Sequence, residues 1–211
     1  MNPNFVIAVG RQFGSGGREI GKQLAARFGI GYYDKELMKL AAKESGVTEE
    51  FFEKADERTP GTLMHALSVA LTMGGGAFQS NALSGENLFR FQSEVIRQLA
   101  AEQSCVIVGR TADYILRANP RCVNIFVHAP MEVRVGRIAT LQDLSPRKAE
   151  ELIRKTDKSR AAYYNYYTGK TWGDSASYHL SVDSSALGID TTTGYIEQFV
   201  ASRLASVDRN R

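Results

Sequence analysis

Phe5-Val6-Ile7-Ala8-Val9 is a short, continuous, largely β-branched run, and from Arg18 to Phe28 the pattern changes. There Ile20, Leu24, Ala25 and Phe28 recur at helical spacing, with Arg18, Glu19, Lys22, Gln23 and Arg27 between them. The first pattern predicts a buried strand and the second an amphipathic helix. The alternation continues downstream. Lys35 to Lys43 predicts a helix presenting Leu37, Leu40 and Ala41, and Asn87 to Ala101 a longer one burying Phe91, Val95, Ile96 and Leu99. Cys105-Val106-Ile107-Val108 and Val123-Asn124-Ile125-Phe126-Val127 read as strands, with a helix from Met131 to Thr140 after the second. Ser145-Pro146 is a helix start, serine at the cap and proline at the first helical position. That helix runs toward Tyr163-Tyr164-Asn165-Tyr166-Tyr167. Tyr178 to Val182 suggests a further strand, and Asp190 or Thr191 can cap a last helix whose end, Asp208 to Arg211, is expected to fray.

Strands alternating with helices argue for a mostly parallel sheet covered on both faces. The 211 residues are enough for one α/β domain with its own core. Glu57 to Gly85 breaks the rhythm with Thr59-Pro60-Gly61 and Gly74-Gly75-Gly76. It reads as an inserted segment over the ligand site or as a variable surface loop. Residues 57–85 are thus a candidate acceptor-side or interaction insertion, and residues 141–170 a candidate lid with its adjoining helix, within a single domain spanning 1–211.

Composition narrows the function. A net charge of +3, from 26 basic and 23 acidic residues, is too mild and too dispersed to suggest polymeric nucleic acid. Cys105 and Cys122 fall at or beside predicted strands and read as core thiols of a reducing interior. The start enters the first strand without a basic leader or an apolar span, so a cytoplasmic location and no membrane partner are expected.

The chemistry concentrates in Gly10-Arg11-Gln12-Phe13-Gly14-Ser15-Gly16-Gly17-Arg18, between the first strand and the first helix. A glycine-rich turn there aims backbone N–H groups and a helix N-terminus at one point, which favours a phosphate. A dinucleotide fingerprint fails, because Glu19 stands where the third glycine of G-x-G-x-x-G belongs. A P-loop of form G-x-x-x-x-G-K-[ST] fits better when started at Arg11. That alignment sets Gly16 correctly but puts Gly17 at the lysine and Arg18 at the hydroxyl position. Arg11, Arg18 or a distant arginine could supply the missing cation, while Ser15 is the nearest hydroxyl. A glycine turn that only packs strand on helix is the plainer alternative.

Further cations lie between Met131 and Arg160, where eight basic residues face five acidic ones. They form either a solvated charged face or a closing helix that neutralises transfer charge. Asp157 and Arg160, like Arg147 and Glu151, are spaced to meet on one helix face. The four tyrosines at 163, 164, 166 and 167 fit packing of that helix on the core better than base stacking, and Trp172 has the same two readings. His65, His128 and His179 lack metal-ligand spacing.

Together these segments resemble the cytidylate kinase-like family within the P-loop nucleoside monophosphate kinases. The resemblance is carried by Arg11 to Gly21, Tyr32-Tyr33-Asp34-Lys35-Glu36-Leu37, Val108-Gly109-Arg110, Asp157-Lys158-Ser159-Arg160 and Tyr178-His179-Leu180. It implies a three-layer P-loop NTPase-type α/β core, a small inserted helical segment and an arginine-bearing lid. It also implies ATP as phosphate donor with Mg2+, and CMP or another nucleoside monophosphate as acceptor. The site residues it implies are the loop Arg11, Phe13, Gly14, Ser15, Gly16, Gly17 and Arg18 around the donor phosphates. Asp34 matches an aspartate that helps hold the acceptor, and Arg110 an arginine that meets the acceptor phosphate. Arg160, in the lid's Asp-x-x-Arg, bridges the transferred phosphate beside Asp157; Arg160, Arg110 and Arg18 are the catalytic candidates. Gly109-Arg110-Thr111 departs from the usual Gly-Arg-Asp, which leaves Asp113 as the nearest carboxylate for substrate or magnesium; no metal ligand follows from the sequence. Gly17 keeps two alternatives open: a nucleotide-binding regulatory or scaffold protein with weak or no turnover, and a kinase of another small phosphorylated acceptor. Exposed aromatic residues of the insertion could make a homodimer contact.

Overall fold

A computed structural model describes residues 4–34 and 85–209. The helix expected at 35–43 and the insertion at 57–85 lie outside the described residues. The described elements are β1 (Val6–Arg11), α1 (Gly17–Phe28), β2 (Gly31–Tyr33), α2 (Gly85–Glu102), β3 (Cys105–Val108) and α3 (Ala112–Ile115). They continue with β4 (Cys122–His128), α4 (Met131–Gln142), α5 (Pro146–Thr168), β5 (Leu180–Asp183) and α6 (Gly188–Arg209).

The strands form one parallel sheet in the order β2-β3-β1-β4-β5. Period-two alternation sorts β1 between two cores. Val6 and Ala8 face α2 and α3 with Val95, Ile96, Cys105, Ile107 and Ile115. Ile7 and Val9 face α1 and α6 with Ile20, Leu24, Val106, Ile125, Ile196 and Val200. Helices on both faces make the three-layer α/β fold that the strand–helix rhythm predicts. A third, smaller core joins α4 to α5 through Ile138, Ala149 and Ile153, with Phe13 of the glycine-rich loop packed against it. Because all five strands run the same way, their C-terminal ends open on one side of the sheet, the side to which such folds bring ligands.

Several details differ from the sequence expectations. β5 starts at Leu180 rather than Tyr178, because the Tyr178 N–H closes a short 3-10 turn over Ser175–Ser177. The last helix starts at Gly188, which puts Asp190 inside its first turn; instead of capping, the Asp190 carboxylate accepts from Gln23 Nε2 of α1 at 2.7 Å. Asp208 does not lie in a frayed end, since it pairs with the buried Arg121 and the helix runs on to Arg209. Both cysteines are buried and reduced, and burial pushes each thiol up to about 12. No helix among the described residues is long and apolar enough to cross a membrane.

Candidate phosphate site at the strand ends

β1 ends at Arg11 and α1 begins at Gly17, so Gln12 to Gly16 must reverse the chain in five residues. Gly14 and Gly16 make that possible: both have φ of 80°, a left-handed conformation that strains residues carrying a Cβ. The loop folds on itself through Ser15, whose fully buried hydroxyl donates to the Gln12 carbonyl at 2.9 Å. That hydroxyl is therefore a staple within the loop. Gly16 caps α1 without a side-chain hydrogen bond, so the helix N-terminus opens directly onto the loop.

Two sets of contacts pin the loop from outside. On one side the Phe13 N–H donates to Asp157 Oδ1 at 2.8 Å, and Arg134 donates to the other oxygen of Asp157 at 2.6 Å. Arg134 also reaches the Phe13 and Ala129 carbonyls, at 3.3 and 3.0 Å, so a side chain only 6% exposed finds partners all round. On the other side Ser184 Oγ donates to the Ser15 carbonyl at 2.5 Å, and Arg137 bridges the Gly14 carbonyl and Ser184 Oγ. Asp157 thus pairs across helices with Arg134 rather than along α5 with Arg160; the exposed Arg147–Glu151 pair does form, at 3.2 Å.

Arg160 lies over this loop as well. Its Nη1 donates to the Arg11 carbonyl at 3.2 Å and its guanidinium stands 5.4 Å from the centre of the Phe13 ring. Arg11 and Arg18 converge on Asp34, just beyond β2. The Asp34 carboxylate receives Arg18 Nε at 2.5 Å and stands 3.6 Å from Arg11 Nη2, with its own side chain only 4% exposed. Partial burial works against the charge on Arg18, but the Asp34 charge and hydrogen bond outweigh it and raise its pKa.

After β3 the chain passes through three consecutive left-handed residues, Gly109, Arg110 and Thr111, with φ of 76°, 61° and 51°. Two non-glycine residues held this way store backbone strain, a feature that clusters at functional sites. Gln92 of α2, itself buried, steadies the turn by donating to the Arg110 carbonyl at 3.1 Å, and the Thr111 hydroxyl donates to the same oxygen. Arg11, Arg18, Arg110 and Arg160 therefore all arise from segments at or beside the C-terminal ends of β1 and β3.

Asp113 is not part of that group. Its carboxylate accepts from the Tyr164 hydroxyl at 2.7 Å and lines a separate cavity of about 290 Å³ with Arg117, Lys170, His179 and Arg203. Burial raises the Asp113 pKa above 3.8, against the lowering effect of the Tyr164 hydrogen bond. The folded state then holds its proton more tightly than the unfolded chain does. Stability is greatest below the unfolded pKa and falls as pH rises through the folded one. Asp113→Asn, which stays neutral and still accepts from Tyr164, is expected to gain more stability over the parent at about pH 7 than at about pH 3. Melting curves at the two pH values check this, and an equal difference at both contradicts it.

Asp34, Asp157, Arg160 and the loop were legible in the sequence, whereas the roles of Arg134, Arg137, Ser184 and Gln92 were not. Arg134 and Arg137 stood within a basic segment that looked like a solvated face. The tyrosines pack α5 on α2: Phe89 stacks on Tyr167 at 4.2 Å with Tyr163 edge-on to it, while Trp172 packs on Phe126. No group of three or more His, Cys, Asp or Glu side chains among the described residues is placed to hold a metal ion.

Residues 6–186, which include the loop, the Gly109–Arg110 turn and α5, match the pattern of the cytidylate kinase-like family. The chain belongs to that family. Its relatives include a cytidylate kinase of Methanopyrus kandleri, 24% identical over 96% of both chains. Another is a cytidylate kinase of Aeropyrum pernix, 25% identical over 85% of this chain and 89% of that one. Among solved structures, an uncharacterised protein from Eubacterium ventriosum superposes with a TM-score of 0.72 at 27% identity, over 94% of this chain and 99% of that one. A shikimate kinase from Acinetobacter baumannii shares the fold with a TM-score of 0.51 at 15% identity, over 94% of each chain. The family and the fold make this a kinase-like P-loop protein.

Proposed function

We propose that this member of the family transfers the terminal phosphate of ATP to CMP or another nucleoside monophosphate. The observation that carries the reading is the convergence of Arg11, Arg18, Arg110 and Arg160 on a glycine-rich loop that opens a helix. Phosphoryl transfer needs little covalent machinery and a great deal of positioning and charge neutralisation. The acceptor phosphate oxygen forms a bond to the terminal phosphorus of ATP as the bond to the bridging oxygen breaks, and ADP leaves with that electron pair.

In this reading the loop amides from Phe13 to Arg18 cradle the donor phosphates. Arg110 meets the acceptor phosphate, and Arg160 neutralises charge on the group in flight. Asp34 orients Arg11 and Arg18 at the acceptor side, and Asp157 fixes the loop through the Phe13 amide. Mg2+, the usual companion of ATP, fits as an ion carried mainly by phosphate oxygens and water, since Ser15 Oγ is buried within the loop. When bound, ATP supplies the activated phosphoryl group; the chain supplies orientation and positive charge.

The test is ADP release by the purified protein with ATP and Mg2+, offered CMP, dCMP, UMP, AMP and phosphorylated non-nucleotides in turn. Release that depends on a nucleoside monophosphate supports the reading, and release with a phosphorylated non-nucleotide alone moves the acceptor to another class. Tight ATP binding with no acceptor-dependent release overturns transfer in favour of a nucleotide-binding protein without turnover, the reading that Gly17 favours. Arg110→Ala is expected to raise the acceptor KM by about tenfold or more, the scale of one charge-assisted hydrogen bond, and to leave the ATP KM within about twofold. Equal changes in both KM values contradict the role given to Arg110.

A further inference from the structure

The alignment that makes this loop a P-loop departs from the pattern at three positions, and two of them face each other. Arg11 stands where the pattern has its first glycine, and Gly17 stands where it has lysine. In the fold these two positions touch. A Cβ built on Gly17 lies 2.6 Å from Arg11 Cβ and 3.2 Å from both Arg11 Cγ and Val127 Cβ. Those are atoms at the root of the arginine and on a central strand, so they cannot swing aside as the tip of a long side chain could. Gly17 is the first residue of a regular helix with no left-handed φ, so space, rather than conformational freedom, requires glycine there. A lysine at position 17 and an arginine at position 11 are mutually exclusive.

The rest of Arg11 follows the same logic. Its guanidinium passes beside Gly109, where a Cβ would overlap it, and ends near Asp34. The Arg11 side chain is 17% exposed. It thus runs from the end of β1 past the first residue of α1 to the turn after β3 that carries Arg110. One glycine makes room for its stem and another for its head.

We propose that Arg11 is the phosphate-gripping cation of this loop, delivered from the strand end instead of from the first turn of the helix. Its ligand is the terminal phosphate of a nucleoside triphosphate. Gly17 is then the space that Arg11 requires rather than a lost lysine. Asp34 is the positioning residue that holds the guanidinium toward Arg110. The exchange also changes the chemistry, because a guanidinium grips two phosphate oxygens in a fixed fork whereas an ammonium acts as a point charge. The proposal rests on the phosphotransferase reading for the identity of the ligand, but its geometry can be tested without turnover.

Four proteins make the test: the wild-type chain, Gly17→Lys, Arg11→Gly, and the double variant Arg11→Gly/Gly17→Lys. Thermal melting and the binding of a fluorescent ATP analogue with Mg2+ are measured for each. Gly17→Lys is expected to lower Tm and to weaken binding by about tenfold or more, although it adds a positive charge to a phosphate site. Arg11→Gly is expected to weaken binding by a similar factor. The double variant, with the clash removed and a cation restored, is expected to melt higher than Gly17→Lys and to bind more tightly than either single variant. A Gly17→Lys protein that keeps the wild-type Tm and affinity overturns the proposal, and so does a double variant no more stable than Gly17→Lys. If the wild-type chain releases no ADP with any acceptor while this coupling holds, the transfer reading falls and the assignment of Arg11 stands. Turnover by the wild-type chain with purely additive variants has the opposite meaning.

Discussion

Arg160→Ala is expected to reduce turnover by about a hundredfold or more and to leave Tm nearly unchanged. The reason lies in what Arg160 touches. It donates to the Arg11 carbonyl at 3.2 Å and stacks over the Phe13 ring, both at the partly exposed edge of the loop. Loss of one hydrogen bond and one cation–π contact at such a site is a small stability term, on the order of 1 kcal/mol. A positive charge placed where charge develops in phosphoryl transfer is a large kinetic term, because it acts mainly in the transition state. Single-turnover rates with saturating ATP and acceptor separate the two. A drop in rate with unchanged substrate affinities is the expected result, and a full-rate Arg160→Ala protein contradicts the role. Arg160→Lys, which keeps charge but loses the fork, is expected to fall between them.

The second large effect belongs to stability. Asp157→Ala removes the partner of Arg134, whose side chain is 7% exposed, and leaves that guanidinium without its counter-charge. Breaking a buried pair from one side costs about 3–5 kcal/mol. It also deprives the Phe13 N–H of its acceptor, so the loop that cradles the phosphates loosens together with the α4–α5 packing. Denaturant melts are expected to show the loss directly, and a change below about 1 kcal/mol contradicts the account of the pair. Replacing both charges, as in Arg134→Met/Asp157→Leu, is expected to recover part of the stability, since well-packed apolar residues can replace a buried ion pair at little cost. ATP binding should not recover with it, because leucine offers the Phe13 amide no acceptor.

Much of this architecture was open to a reading of the sequence because it rests on periodicity. Val6 to Val9 are apolar at every position because the strand is buried on both faces, and Ile20 and Leu24 mark the stripe that covers it. Ser145-Pro146 started α5 where it was expected, with Ser145 Oγ accepting from the Lys148 N–H. The site was legible only where the pattern is local, as in the Gly14–Gly16 loop and the spacing of Asp157 and Arg160. Partners that meet across the fold left no such trace. Nothing near Asp157 in the chain announces that Arg134, on another helix, is its mate. Asp113 shows the converse failure: it lies close to Arg110 in sequence, yet α3 turns its carboxylate toward Tyr164 and a different cavity. Gly17 is the sharpest case. Read along the chain it is an absence, and only the packing of Arg11 against it shows what its missing side chain makes room for.

The central claim is that the arginines gathered around this loop serve phosphoryl transfer between two phosphate-bearing nucleotides. Its most direct test is a 31P NMR time course of the wild-type protein with ATP, Mg2+ and CMP. The account predicts that the γ-phosphate resonance of ATP declines as the β-phosphate resonances of CDP and ADP grow in equal amounts, with the rate collapsing in Arg160→Ala. Spectra in which ATP stays intact in the presence of CMP and every other nucleoside monophosphate tried, or in which inorganic phosphate is the sole product, would contradict it.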